Sequence, residues 1–396
     1  MEASRKPIGD LLERVPRQKK VKRSDYQERG QFPIVDQSQA FIAGYTDDET
    51  CLYEGELPVV VFGDHTRVLK FVKFPFCVGA DGTQLLRPVD GIDVRYLYYA
   101  LRNIDLTNYG YERHFKYLKE EQIEVPSLPV QHQIAEICSA YDDLVENSLQ
   151  RIKILEGMAE SLYREWFVYF RFPHHEKLRM VDSPLGQIPE GWEVKSIGEV
   201  VETLGGSTPS TKIPAFWDEG DVIWFTPSDL TAAGTMFITD SGKMITRLGL
   251  EKSSARLFPS YSVMMTSRAT IGVVAINTKE ACTNQGFITC IPNEWLSTYQ
   301  LYFWICENKE KIISVASGAT YKEINRTEFR ELPIILPSSE LTRRFTELIG
   351  PIGKQIENLQ SKNTNLHRTR DLLLPKLISG ELDVSELDIA VPAEVA

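Results

Sequence analysis

The stretch VQHQIAEICSAYDDLVENSLQRIKILEGMAESLYREW, from Val130 to Trp166, carries apolar residues at alternating steps of three and four. Ile134, Ile137, Tyr141, Leu144, Ile152, Leu155, Ala159, Leu162 and Trp166 fall on one helical face, with the polar Ser148 as the exception. That spacing predicts a coiled-coil seam. A second stretch, opening at Ser338, places Leu341, Phe345, Leu348, Ile352, Ile356, Leu359, Leu366, Leu373 and Leu377 on a similar stripe. Ser338 is its predicted N-cap, and Glu340 suits its first turn. The run Gly350-Pro351-Ile352-Gly353 is expected to kink or locally unwind this helix, because proline lacks the N–H that the helix needs. Each helix should extend about 60 Å at roughly 1.5 Å per residue. Two such helices with apolar seams are expected to pack against each other.

Outward from the helices, the chain repeats itself. KPIGDLLE at Lys6 to Glu13 matches KSIGEVVE at Lys195 to Glu202 in charge, glycine and apolar positions. Each copy continues with an apolar run (Val59 to Phe62; Val263 to Met265), a polar turn (Gly63 to Arg67; Thr266 to Thr270) and a cysteine-containing segment. An aromatic helix-like stretch follows, YLYYALRN in one copy and LYFWICEN in the other. Each copy then reaches an extended run, Ile123 to Pro129 or Leu332 to Pro337, that leads into its long helix. This order implies one unit of about 190 to 210 residues used twice, hence a pseudo-twofold molecule. Runs such as ELPVVVFG, DVIWFTPS and GVVAIN between turn residues read as strands that do not alternate regularly with helices. The expected fold class is mixed α/β (α+β), with a curved mixed sheet in each globular unit and two long helices packed together. The expected segments are 1–129, a first helix 130–171, a polar linker 172–189, a second globular unit 190–337, a second helix 338–379 and an acidic tail 380–396. Ser196 followed by Glu199 has capping-box spacing.

The 396 residues, 42% hydrophobic and 25% charged, suit a soluble globular protein and exclude collagen-like, mucin-like and wholly disordered classes. A net charge of −11, from 44 basic and 55 acidic side chains, argues against binding nucleic acid by bulk positive charge but leaves room for local patches. No membrane-length apolar run and no apolar signal core are present, so a cytoplasmic location is expected. The six cysteines form no CxxC pair and the six histidines no HExxH, which argues against a disulfide framework or a zinc site.

Catalytic signatures are missing. The text nearest to a phosphate loop, GPIGKQ at Gly350, has the wrong spacing and lies in a helical pattern. GxGxxG, GxSxG and the Asn/Asp-Pro-Pro-aromatic signature of amino-methyltransferases do not occur. Asp182 with Glu193-x-Lys195 has the residue types of a metal-dependent nuclease, yet Glu307-x-Lys309 repeats the triplet and the capping box explains the first locally.

What remains are polar loops suited to phosphates and base edges. In the second copy LGGSTPSTK offers Gly206, Thr208 and Lys212, TSRATIG offers Ser267 and Arg268, NQG offers Asn284 and Gln285, and SGATYKEIN offers Thr320, Tyr321 and Lys322. In the first copy PRQKKVKR contains Arg17, Lys19, Lys20, Lys22 and Arg23. FGDHTRVLK adds His65, Thr66, Arg67 and Lys70, while YGYERHFKY adds Arg113, His114, Lys116 and Tyr117. Each loop taken singly also reads as ordinary turn chemistry, and the histidines equally as structural hydrogen bonders. Different loops on one scaffold order suggest related domains that recognise different things.

IPEGWEVKSIGEV, TSRATIGVVAIN with NQGF, SGATYKEINRTEF, LPVQHQIAEI and LLLPKLISGEL resemble the specificity subunits of type I restriction-modification systems, over approximately Lys6 to Leu387. FGDHTRVLKFVKFPFCVGADG looks like another version of the family's target recognition domain. The resemblance implies two target recognition domains separated by two long antiparallel helices, each domain reading one half of a split sequence in double-stranded DNA and the helices setting the unspecified gap. It implies docking of methyltransferase (modification) subunits, two of them, and of restriction translocase/nuclease subunits in a full complex. The chain itself would bind no cofactor; S-adenosylmethionine, ATP and Mg would sit on those partners. The alternative from the residues is a non-catalytic protein–protein adaptor or scaffold.

Overall fold

The computed structural model describes residues 4–16, 18–106, 113–318, 322–385 and 387. The chain forms two compact units, residues 1–146 with 363–396, and residues 147–362. Both long helices, Leu128–Tyr163 and Ser339–Ile378, are divided between the units, whereas the sequence reading gave each helix a segment of its own.

The first unit opens on Ser4–Pro7, paired antiparallel with Gln122–Val125, the strand that leads into the first long helix. An antiparallel sheet orders Leu69–Val72, Val59–Gly63 and Thr83–Leu86. Its central strand is buried at every position, which is why Val59–Gly63 reads as a continuous apolar run instead of an alternating one. A second sheet orders Gly44–Thr46, Phe32–Val35 and Cys77–Val78, the last pair parallel. The helix Val94–Arg102, capped by the Asp93 side chain on the Tyr96 N–H, buries Tyr96, Leu97, Ala100 and Leu101.

The second unit repeats this topology. Glu193–Ser196 pairs with Pro333–Leu336, the strand before the second long helix. Val274–Asn277, Val263–Thr266 and Phe287–Ile291 form the antiparallel sheet, widened by Glu202–Gly205 on one side and Phe237–Ile238 on the other. Met244–Ile245, Val222–Phe225 and Cys282–Thr283 form the mixed sheet, again with one parallel pair. For the six sheet strands that the two units share, order and direction agree, so duplication is a property of the fold as well as of the text. The Ser196/Glu199 capping box is present.

Each core takes in part of both long helices. In the first unit Ile134, Ala135 and Cys138 pack with Leu374, Leu377 and Ile378 against Ile8, Tyr96 and Leu97. In the second, Ile152, Ala159, Tyr163 and Trp166 pack with Phe345, Ile349, Ile356 and Leu359. Opposite halves of the helices therefore meet, and their chain directions oppose. Phe345 has the rings of Tyr163, Trp166 and Phe167 at 6.3, 5.8 and 4.8 Å. Leu155, Leu162 and Ile352 lie partly buried on the same core, and Leu373 on the core of the first unit. Tyr141 and Leu366 are half-buried.

Three expectations are corrected. Leu144 and Leu348 are 46% and 53% exposed, while their neighbours Val145 and Ile349 are buried, because a 3.6-residue helix drifts away from a strict heptad. The second helix is unbroken through Gly350-Pro351-Ile352-Gly353. Pro351 and Glu347, whose carbonyl the proline leaves without its helical donor, are both exposed residues, and Gly353 is where Tyr299 packs: an added Cβ would lie 2.2 Å from its Oη. The linker 172–189 contains a hairpin, Met180–Ser183 with Gly186–Pro189.

A polar network lies in the first unit's core. The Arg370 side chain, 5% exposed, pairs with Asp142 and with Asp371 Oδ1 at 2.8 Å. Tyr99 Oη donates to Asp142 Oδ2 at 2.6 Å, and burial together with that carboxylate pushes the phenol well above its usual range. Asp142→Ala leaves a buried guanidinium with less compensation and is expected to lower stability by about 1–3 kcal/mol, less than a fully buried pair because Asp142 is partly exposed. Asp142→Ala with Arg370→Met should recover most of that loss. Urea unfolding midpoints of the single and double variants measure both.

Candidate nucleic-acid interface

Register places the singled-out loops of the second unit together. Gly205 faces Ile288, Thr266 faces Phe287, and Phe225 faces Thr283, so the loops that follow Gly205, Phe225 and Thr266 and the one that precedes Phe287 gather at one end of the sheets. Backbone bonds stitch them: Ser207 N to Thr283 O at 2.9 Å, Asn284 N to Phe225 O at 3.0 Å, Ser267 N to Gly286 O at 2.8 Å and Ile324 N to Ser267 O at 3.1 Å. Thr208 Oγ1 donates to Gln285 Oε1 at 2.7 Å. Beside them lies an open cleft of about 540 Å³, lined by Arg268, Ala269, Thr270, Asn284, Gln285 and Gly286 and by Pro227, Ser228, Thr231 and Ala232 of the helix Pro227–Ala233.

Several residues have roles that the sequence did not disclose. Ser267 is 3% exposed and ties adjacent loops through its backbone. Gly206 is a packing glycine, since an added Cβ would lie 2.1 Å from the carbonyl oxygens of Thr283 and Asn284. Asn284 Oδ1 accepts from Gly286 N at 2.8 Å, which commits that oxygen to its own turn. Arg268 Nε donates to Glu323 Oε1 at 2.6 Å, and both side chains remain partly exposed. Lys212 and Lys322 are exposed at the edges of these loops. Trp217 and Trp224, missed in the sequence, donate their indole N–H groups to Ser210 O at 3.0 Å and Ser207 O at 2.9 Å and so pin the glycine-rich loop. Their aromatic character was visible, but not their long-range partners.

The first unit gathers the corresponding loops around Gln37, which the sequence reading also missed. Gln37 Oε1 accepts from His65 N at 3.1 Å, its carbonyl accepts from Thr66 Oγ1 at 2.5 Å, and its Nε2 donates to Asp81 O at 2.9 Å. Lys70, 3% exposed, donates to the carbonyls of Asp36 and Ala40, and burial lowers its pKa. Arg67 stands in the left-handed region (φ 61°) with Nη1 on Leu106 O at 3.3 Å. Arg67 lines a cleft of about 790 Å³ with Lys73, Arg95, Arg102 and Asp142.

The basic run is partly absorbed by the fold. Lys19 pairs with Asp48 at 2.8 Å, which holds that carboxyl below the usual range, and Lys20 donates to Thr83 O at 2.8 Å, where burial lowers its pKa. Lys20 is tied to a backbone carbonyl, whereas the Lys19 side chain stays 59% exposed beside Asp48. Lys22 and Arg23 stay exposed, as do Arg113 and Lys116. His114 is buried on Asp64 O and serves the scaffold. Arg17, Thr320 and Tyr321 lie outside the described residues, as does most of the acidic tail. Among the described residues no group of three or more His, Cys, Asp or Glu is placed to hold a metal ion. No helix among them is long and apolar enough to cross a membrane.

Comparison with known proteins adds the family. The profile described as "Type I restriction modification DNA specificity domain" matches residues 4–156 and 189–368. The specificity subunit of type I restriction enzyme MjaIX from Methanocaldococcus jannaschii is 34% identical over 47% of this chain and 44% of its own, so the match spans less than half of that relative. The EcoR124I/EcoR124II specificity subunit from Escherichia coli is 23% identical over 87% of this chain and 85% of its own. In fold, the crystal structure of the type I restriction-modification S subunit from M. genitalium matches with TM-score 0.57 and 15% identity, over 95% of this chain and 96% of that one.

Gly206→Ala is expected to push the glycine-rich loop away from Thr283 and Asn284, breaking the Thr208–Gln285 bond at a cost of about 1–3 kcal/mol. Proteolysis should then cut first within Gly205 to Lys212, with far-ultraviolet dichroism unchanged.

Proposed function

Because the chain belongs to the type I restriction-modification DNA specificity family, we propose that it is the DNA-reading subunit of such a complex. In this reading each unit binds one half of a split duplex target. The carrying observation is one topology used twice with different loops: the first unit presents a Gln37-centred cluster with Arg67, the second Arg268, Gln285 and Thr208 on a stitched platform. A shared scaffold with unshared loops is what two different half-sites demand. A chain of net charge −11 would bind through these local groups.

The chain is read as non-catalytic. Methyltransferase subunits, two of them, would dock on it and carry S-adenosylmethionine, and restriction translocase/nuclease subunits would carry ATP and Mg, in the cytoplasm. Purified chain supplied with all three is therefore expected to neither methylate nor cut DNA; turnover that follows the chain through purification overturns this. Duplex binding should show a bipartite preference and weaken with salt. Salt-insensitive binding, or none, in a chain that still captures proteins would support an adaptor.

The long helices are read as the element that fixes the gap. Four residues added to each lengthen it by about 6 Å, roughly one or two base pairs at about 3.4 Å per pair. The methylated motif of the reconstituted complex is expected to gain that many unspecified pairs and keep both half-sites. An active variant with an unchanged gap removes this role.

A further inference from the structure

The Arg268–Glu323 pair has no counterpart role in the scaffold. It sits on the platform of stitched loops, with side chains 45% and 41% exposed. Its geometry is nevertheless fixed from the backbone. Arg268 and Glu323 face each other across an antiparallel bridge, Glu323 exchanges both backbone bonds with Ser317 at 2.8 and 2.9 Å, and Ile324 N is tied to Ser267 O. The turn carrying Arg268 is held by Thr266 Oγ1 on Thr270 O at 2.5 Å, with Ala269 in the left-handed region. A solvent-exposed ion pair held this firmly contributes little to stability. The rigidity instead fixes where a donor edge and an acceptor edge stand side by side at the mouth of the cleft.

A phosphate is a poor ligand for this pair. Any anion close enough to Arg268 to share its guanidinium also meets the Glu323 carboxylate, and the two negative charges repel. A G·C pair offers the complement. In the major groove guanine presents two acceptors, N7 and O6, and cytosine presents the N4 amino donor beside them. A guanidinium suits the first and a carboxylate the second. An A·T pair would set the adenine amino group against the guanidinium, or the thymine O4 against the carboxylate. We propose that Arg268 and Glu323 together read one G·C base pair in the half-site bound by the second unit, Arg268 donating to guanine and Glu323 accepting from cytosine. The proposal rests on the DNA-reading function above. It makes Glu323, which the sequence did not single out, a specificity-determining residue.

The test is selection from a randomised duplex pool by the full-length chain assembled with its methyltransferase subunits, using wild type, Arg268→Ala, Glu323→Ala and Glu323→Gln, each confirmed folded by its melting temperature. Wild type is expected to require G·C at one position of one half-site. Arg268→Ala and Glu323→Ala should make that position degenerate, with discrimination falling about 5- to 150-fold. Glu323→Gln should keep the G·C preference with weaker discrimination, because its amide oxygen still accepts from cytosine N4 while Arg268 still opposes the adenine amino group. The other half-site and the salt dependence should not move. A uniform loss across all sequences with a shallower salt dependence would make Arg268 a phosphate contact and overturn the proposal. So would Glu323→Ala binding every sequence more tightly with the same preference, or alanine variants that leave the preference intact. A wild-type complex that selects no sequence instead removes the DNA reading itself.

Discussion

The long helices cannot bury their apolar faces alone, and neither globular unit completes its core without them. Leu374, Leu377 and Ile378, near the end of the second helix, close the core built on Ile8, Tyr96 and Leu97. Phe345 and Ile349, near its beginning, close the core that contains Trp192 and Trp304. The first unit is consequently discontinuous in sequence, since the later part of the second helix packs into its core. Strand pairing works to the same end. Ser4–Pro7 with Gln122–Val125, and Glu193–Ser196 with Pro333–Leu336, tie the start of each repeat to the strand that launches its helix.

Once the cores are closed, the loops at one end of each pair of sheets are free to differ. The two units solve the same problem of rigidity with different chemistry. In the first, a buried lysine and a glutamine side chain satisfy the carbonyls and N–H groups of three loops. In the second, backbone bonds and two indoles do so. Either route ties neighbouring loops to one another through hydrogen bonds. Rigid presentation is what base discrimination needs, since a mobile side chain reaches the wrong base as readily as the right one.

Much of the architecture was legible because it is periodic or repeated. The seam residues Ile134, Ile152, Phe345 and Ile356 announced the helices through spacing alone. KPIGDLLE and KSIGEVVE announced the duplication, and Ser196 with Glu199 announced its cap. The candidate interface was less legible. The loops carrying Arg268, Asn284, Gln285 and Thr208 adjoin in space, and Lys19, Lys20, Ser267 and Gly206 make contacts within the fold that their local sequence does not show. A surface lysine and a lysine on a carbonyl carry the same letter. What separates them is a partner such as Thr83, many residues away, which no local pattern records.

Sequence by itself determined the elements, their order and their repetition, because helix periodicity, capping and turn chemistry act over a few neighbouring residues. Tertiary structure decided which face of each helix turns inward, so that Val145 and Ile349 displaced Leu144 and Leu348. It decided that the helix continues through the exposed Pro351, and that Gly353 admits Tyr299. Above all it set Glu323 against Arg268, fifty-five positions apart in the chain. Such contacts depend on strands paired at long range, and their energy exists only after the chain has closed.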